Sequence, residues 1–244
     1  MISGTYLIAG LRVGVTSMHR DVHELYRGYE TDLAPELLIR TGQADIEYEK
    51  KQSLRLDELT GRRHIPFNEG YLETLAVYRK LAEQAPGRGV ILFHGSALAV
   101  DGAAYLFAAP SGTGKSTHAR LWRELLGERA VMVNDDKPLI SVTAEGVTVH
   151  GSPYNGKHML GANISVPLKA ICVLQRAREN AIVPAEKGEV YVALLQQLYR
   201  PSDPAALAAA LSLFDEMAGR VRLYRLFCNM DVSAAELAYN TMKG

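Results

Sequence analysis

Apolar positions in this chain come in short runs broken by Gly, Pro, Asn and Asp, and the spacing within the runs predicts an α/β protein. The first part reads as a strand over Thr5–Val15, a polar stretch, a second strand at Glu36–Arg40 and an alternating segment at Ala44–Tyr48. A helix follows, with Asn68 as its cap and Tyr71, Leu72, Leu75, Tyr78 and Ala82 on one face, ending at Pro86-Gly87. Gly87-Arg88-Gly89 marks a boundary, giving an N-terminal α+β region at 1–88 and a second region at 89–244. The second region opens with a strand at Val90–Phe93. Asp101-Gly102 then joins Ala97–Val100 to Ala104–Ala108 as a two-residue hairpin, which argues for a mixed sheet. Further on, Ser116–Leu126 reads as a helix closed by Gly127, with Ala119, Trp122 and Leu126 on one face. Strands are expected at Arg129–Val133, Pro138–Val142, Val147–His150, Leu168–Leu174 and Val221–Phe227. Helices are expected over Glu186–Tyr199 and Asp203–Ala218, and a last one starts from a capping box at Ser233–Glu236 and ends near Met242.

Composition narrows the function classes. The 244 residues are 48% hydrophobic, enough to bury a substantial core. Lys plus Arg equals Asp plus Glu at 27 each, so no global charge draws the chain to nucleic acid or to an anionic membrane. Two cysteines, Cys172 and Cys228, both sit in apolar segments and read as buried thiols of a reducing, cytoplasmic compartment. The first residues lack a basic leader, and no segment approaches the length of a membrane span.

The densest chemistry lies at Ala109–Thr117, where an apolar strand runs into Pro110-Ser111-Gly112-Thr113-Gly114-Lys115-Ser116-Thr117 and then into a helix. Strand, glycine-rich loop and helix in that order make a phosphate-binding loop. Gly112 and Gly114 let successive N–H groups converge on anionic oxygens, and Lys115 adds a point charge for the β- and γ-phosphates. The Ser116 hydroxyl is suited to Mg²⁺. Ala109 departs from the usual spelling, which has glycine at that position. A nucleoside triphosphate is therefore expected on Ser111, Gly112, Thr113, Gly114, Lys115, Ser116 and Thr117.

A second cluster stands at Asn134-Asp135-Asp136, directly after a hydrophobic strand. Carboxylates at a strand end beside a phosphate loop can hold Mg²⁺ and take the proton of an attacking hydroxyl. Neighbouring strand residues point to opposite faces, so Asp135 and Asp136 are expected to divide these tasks, in an order the sequence leaves open. Arg176 and Arg178, after the strand ending at Leu174, are candidates for covering charge on a transferred phosphoryl group. Lys157 and His158, in the turn-rich loop Gly151–His158, are candidates for meeting an acceptor or a phosphate.

The Ser111–Ser116 loop with its downstream Asp-Asp pair resembles the superfamily of HPr kinase/phosphorylase and ATP-dependent phosphoenolpyruvate carboxykinase. Within it, the chain is most similar to the small bacterial HPr kinase-like branch, some members of which phosphorylate a serine on a precursor peptide. The resemblance covers roughly Val90 to the C-terminus, and His94-Gly95 and the segment Arg222–Asp231 fit it as well. It implies a P-loop kinase core of that type with a mixed sheet. It also implies a role for His94 in orienting an aspartate or the phosphate, and makes a homo-oligomer plausible. The chain lacks the signature segment that follows the active site of true HPr kinases, so HPr itself is not the expected acceptor. Groups for an organic acid and a second metal, as in the carboxykinases, are not found either.

These readings converge on an ATP- and Mg²⁺-dependent kinase. Lys115 and the loop stabilise phosphate charge, Ser116 and one aspartate, with Asp136 as the expected ligand, organise Mg²⁺, and Asp135 and Asp136 with His94 and Lys115 form the catalytic set. The acceptor is a hydroxyl, either a serine of a peptide or protein or a small alcohol, and residues 1–88 contribute to acceptor choice or assembly. The alternative is a nucleotide-binding regulator or maturation factor that hydrolyses ATP slowly and acts through a partner. Reversal with phosphate as acceptor, known for HPr kinases, would use the same residues.

Overall fold

The computed structural model describes residues 1–61, 63, 65–156 and 159–244, so Lys157 and His158 lie outside the described residues. The chain divides into two compact units, Met1–Gln84 and Ala85–Gly244.

In the first unit, strands β1 (Ile2–Ile8) and β2 (Leu11–Ser17) pair antiparallel from Ile2↔Ser17 to Ile8↔Leu11. The single strand expected over Thr5–Val15 is thus a hairpin. Its turn is made by Ala9 and Gly10, both with positive φ (52° and 78°). Helix α1 (Arg20–Leu25) follows, and β3 (Leu37–Arg40) adds parallel to β2. Helices α2 (Gln43–Thr60) and α3 (Glu69–Gln84) complete the unit. The alternation at Ala44–Tyr48 lies inside α2, not in a strand. Ile46 is buried while Tyr48 stays 45% exposed, so the alternation marks no buried face, and Asp45 bonds back to the Gly42 N–H to open the helix. Asn68 caps α3 as expected, its Oδ1 accepting from the Tyr71 N–H at 2.7 Å.

The second unit is built on a mixed sheet of nine strands among the described residues. After a 3-10 turn at Ala85–Arg88 come β4 (Val90–Leu92), β5 (Ser96–Val100) and β6 (Ala103–Ala108). Asp101 and Gly102 join β5 to β6 with φ of 50° and 80°, the positive values a two-residue hairpin turn needs. Helix α4 (Lys115–Leu126) leads to β7 (Ala130–Asn134), then β8 (Leu139–Val142) and β9 (Val147–His150). The long β10 (Ser165–Arg176) pairs antiparallel with β9 near its start. Farther along it runs parallel between β6 and β12 (Arg222–Cys228). Between these come β11 (Ala181–Pro184), an edge strand absent from the sequence reading, α5 (Lys187–Leu195) and α6 (Pro204–Arg220), and α7 (Val232–Met242) closes the chain. The cap of α7 is Asp231, which accepts from the Ser233 N–H at 2.9 Å, so the helix starts before the expected capping box at Ser233.

Alternation along the strands feeds two cores, one on each face of this sheet. From β6, Ala104, Leu106 and Ala108 join Phe93, Leu194, Phe214 and Met217 on the α5–α6 side. Tyr105 and Phe107 join Trp122, Ala235, Ala238 and Met242 on the α4–α7 side. The result is a helix–sheet–helix sandwich that fixes the ends of β6 and β7 side by side with β5 between them. Among the described residues no helix is long and apolar enough to cross a membrane.

Candidate functional site

Two loops meet at the ends of β6 and β7. The first leaves β6 at Ala109 and enters α4 at Lys115, and its bends fall on Gly112 (φ 78°) and Gly114 (φ 127°), backbone angles that side-chain-bearing residues rarely adopt. Gly114 precedes α4 with no side-chain cap, which leaves the first-turn N–H groups of a twelve-residue helix for another partner. Lys115 is largely buried, and its Nζ donates to the Ala109 carbonyl at 2.8 Å. Burial pulls its ammonium pKa down, and the nearby Asp136 and Asp135 offset only part of that effect.

Arg176 holds this loop from outside. Its guanidinium donates to the Thr113 carbonyl at 3.0 Å and to the Gly112 carbonyl. A trans peptide sets each N–H opposite its C=O, so pinning the Thr113 carbonyl turns the Gly114 N–H away from Arg176. Here Arg176 shapes the loop through its backbone. Arg178 is exposed, and its carbonyl accepts from Asn229 Nδ2 at 3.0 Å.

The second loop begins with Asn134, the last residue of β7, which is fully buried. Its Nδ2 donates to Ser152 Oγ (3.1 Å) and to the Tyr154 carbonyl (3.0 Å), while its Oδ1 accepts from the Asp136 and Lys137 N–H groups at 2.9 and 2.7 Å. That turn fixes the two aspartates in different settings. Asp135 is 6% exposed, with Oδ1 accepting from Ser96 Oγ at 2.9 Å and Oδ2 facing Gly156, where an added Cβ would stand 3.2 Å away. Asp136 is more open, and its Oδ1 lies 3.4 Å from His94 Nε2. Burial pushes the Asp136 pKa up, but the His94 bond and the charges of Lys137 and Lys115 outweigh it, so the carboxyl sits below the usual range.

His94 is held by backbone on both sides. Its N–H donates to the Gln197 carbonyl (2.8 Å), and the next N–H, of Gly95, donates to the Asp136 carbonyl (3.0 Å). Only glycine fits at 95, since a Cβ would stand 2.9 Å from both the Phe107 carbonyl oxygen and Leu106 Cδ1.

One cleft of about 500 Å³ brings together His94, Ser111, Gly112, Gly114, Lys115, Ser116, Thr117, Asp135, Asp136 and Gly156. Thr113 and Arg176 line a neighbouring cavity on the other side of the loop. The sequence reading gave no role to Ser96, Asn134 or Gly156. An Asn directly before two acids is an Asx-turn signal, whereas Ser96 and Gly156 reach Asp135 only through the fold. The donor set suits Mg²⁺, which favours one or two carboxylates with phosphate and water as its other ligands. Among the described residues no group of three or more His, Cys, Asp or Glu is placed to hold a metal ion by itself.

The family model for SynChlorMet cassette protein ScmC matches residues 70–233, more than half of the chain. The chain belongs to the ScmC family. The span that matches ScmC includes His94, the whole loop, both aspartates and Arg176. No curated protein matches the sequence. Among solved structures, the chain is similar to the Hpr(Ser) kinase/phosphatase from Coxiella burnetii at 12% identity. That similarity covers 62% of this chain and 89% of the other, with a TM-score of 0.35.

Proposed function

We propose that the protein is an ATP- and Mg²⁺-dependent kinase that passes the γ-phosphoryl group to a hydroxyl, on a peptide or protein serine or on a small alcohol. The observation that carries this reading is the juxtaposition, in one cleft, of an uncapped glycine loop with a buried lysine and two carboxylates in unlike surroundings. A site for binding alone has no need of the second acid.

In this reading the loop N–H groups and the Lys115 ammonium hold the β- and γ-phosphates, where they oppose charge that builds up during transfer. Asp136, kept ionised by His94 and the neighbouring lysines, joins Ser116 in holding Mg²⁺. The bound ion would neutralise phosphate charge and orient the triphosphate. Asp135 is the base. Its Oδ2, on the Gly156 side, takes the acceptor's proton as the acceptor oxygen bonds to the γ-phosphorus, and the bond to the β-phosphate oxygen breaks to release ADP. A loose transition state asks for little basicity, so a carboxylate suffices. Ser96 acts by fixing the Asp135 rotamer.

The test is ADP formation by the purified chain with Mg²⁺-ATP, with and without serine-containing peptides and small polyols. A rise in ADP that depends on one such acceptor, and is lost in Asp135→Asn, is expected. Acceptor-independent hydrolysis of equal rate in that variant would overturn the assignment.

A further inference from the structure

A second cavity, of about 430 Å³, lies across the loop from the Lys115 cleft and shares Gly112, Gly114 and Thr117 with it. Away from those residues its wall is mixed but richer in apolar surface, with Leu121 on α4, Leu174 and Ala177 at the end of β10, and Cys228 and Met230 at and just past the end of β12, beside the polar Gln175, Arg176 and Asn229. The loop therefore separates a polar, charged cleft from a pocket of a size and lining that suit an organic ring system.

His118 forms part of the same wall and is 2% exposed. The Trp122 indole, which can only donate, gives its N–H to His118 Nε2 at 3.0 Å. Nε2 is thus the acceptor nitrogen, and the ring proton sits on Nδ1. That N–H has no hydrogen-bond partner among the described residues. The buried His150 offers a contrast, because its two ring nitrogens meet Ser141 Oγ and Ser165 Oγ. An enclosed donor left unpaired costs stability unless a ligand supplies the acceptor.

We infer that this pocket receives the base and ribose of a purine nucleotide whose phosphates lie on the loop, with the base against the wall to which His118 belongs. The inference rests on the phosphate-loop reading given above. The apolar part of the wall covers the faces of a flat bicycle, and the sulfurs of Cys228 and Met230 are favourable neighbours for an aromatic ring. Because both cavities share the loop residues, a single molecule crossing the loop occupies both.

Trp122, the sole tryptophan, reports on His118 directly. The full chain is titrated with Mg²⁺ plus tripolyphosphate, ATP, GTP or UTP, followed by calorimetry and by Trp122 emission. The purine triphosphates are expected to bind about tenfold tighter than tripolyphosphate or better, and to change the emission, which tripolyphosphate leaves unaltered. Ala177→Phe, which fills the pocket, should remove that gain and the emission change while tripolyphosphate still binds. Equal affinities for tripolyphosphate and the purine triphosphates, both lost in Lys115→Ala, would overturn the base pocket and leave the loop reading standing. A gain of the same size with UTP would overturn the purine assignment. Binding of none of these compounds would overturn both readings.

Discussion

Glu73 in the first unit and Asp135 in the second are carboxylates withdrawn from water, and they differ in what their surroundings leave open. The Glu73 side chain is fully buried and all of its acceptor capacity is used. Oε1 takes the Met18 N–H and the Thr41 hydroxyl, each at 2.7 Å, while Oε2 takes the His19 N–H at 2.7 Å and His19 Nδ1 at 2.8 Å. Nothing remains for a substrate. Asp135 uses Oδ1 for Ser96 and presents Oδ2 beside Gly156, and Asp136 has His94 at 3.4 Å. A saturated buried charge ties elements together, whereas a half-satisfied one at the mouth of a cleft is available for chemistry.

The largest effect that would break this contrast is expected at Lys115. Lys115→Ala should cut phosphoryl transfer by about 10²–10³-fold or more, as removal of a key charge-stabilising donor does, and should abolish tripolyphosphate binding by calorimetry. Survival of either would mean that the loop is only a turn before a helix.

Next in size are the two aspartates. Asp135→Asn should lower kcat by about 10²–10⁴-fold at saturating Mg²⁺, whereas Asp136→Asn should chiefly raise the Mg²⁺ concentration needed for half-maximal rate. Near-normal rates in both variants would defeat the division of labour. Because the Asp136 pKa is depressed, its carboxylate should persist as the pH falls past the ordinary aspartate value. Mg²⁺ dependence should therefore steepen only below that value, measured as half-saturating Mg²⁺ against pH.

At Glu73 the expected effect is on stability alone. Burial pushes its pKa up, but the bonds from Met18, Thr41 and His19 more than offset this, and the net value is lowered. A depressed folded-state pKa contributes stability that is fully present above the unfolded value and is lost as the pH falls through the folded one. Glu73→Gln should cost about 1.5–3 kcal/mol at neutral pH by denaturant unfolding, with a smaller difference in acid, and should leave transfer per folded molecule unchanged. Loss of transfer without loss of stability would blur the contrast between the two settings.

Ser96→Ala sharpens it at the fine end. Loss of the Ser96 hydroxyl, which donates to Asp135 Oδ1 at 2.9 Å and also reaches the Asp135 carbonyl at 3.3 Å, should lower kcat by about tenfold, in line with a hydrogen bond to a charged group, with KM for ATP unchanged. An unaltered kcat would show that Asp135 needs no such support.

Much of this contrast was written in local sequence, and the rest was not. The loop, the aspartate pair and the hairpin at Asp101-Gly102 are legible because short-range backbone chemistry dictates them: glycine for positive φ, and a hydrophobic strand running into acids. The mixed sheet follows from that hairpin, since β6 is antiparallel to β5 and must find its other partner, β10, by a parallel crossover. By contrast, Ala44–Tyr48 carries a strand-like alternation yet folds as helix, because five residues are too few to separate the two periods and only Ile46 meets the core. Thr5–Val15 reads as one strand because Ala9 gives no sign that it will take a positive φ. Ser96 lies thirty-nine positions from Asp135 and nothing local links them. Arg176 was legible as a cation near the loop, but its use in bracing the Gly112 and Thr113 carbonyls is a product of register between distant strands.

The most direct test of the central claim follows where the terminal phosphate of ATP goes. The purified chain and its Lys115→Ala variant are incubated with γ-labelled ATP, Mg²⁺ and a bacterial extract of peptides and small molecules, and the label is located by mass spectrometry. The account predicts label bonded to the hydroxyl oxygen of one acceptor class, with none in the variant. Label recovered solely as inorganic phosphate, or transferred equally well without Lys115, would contradict it.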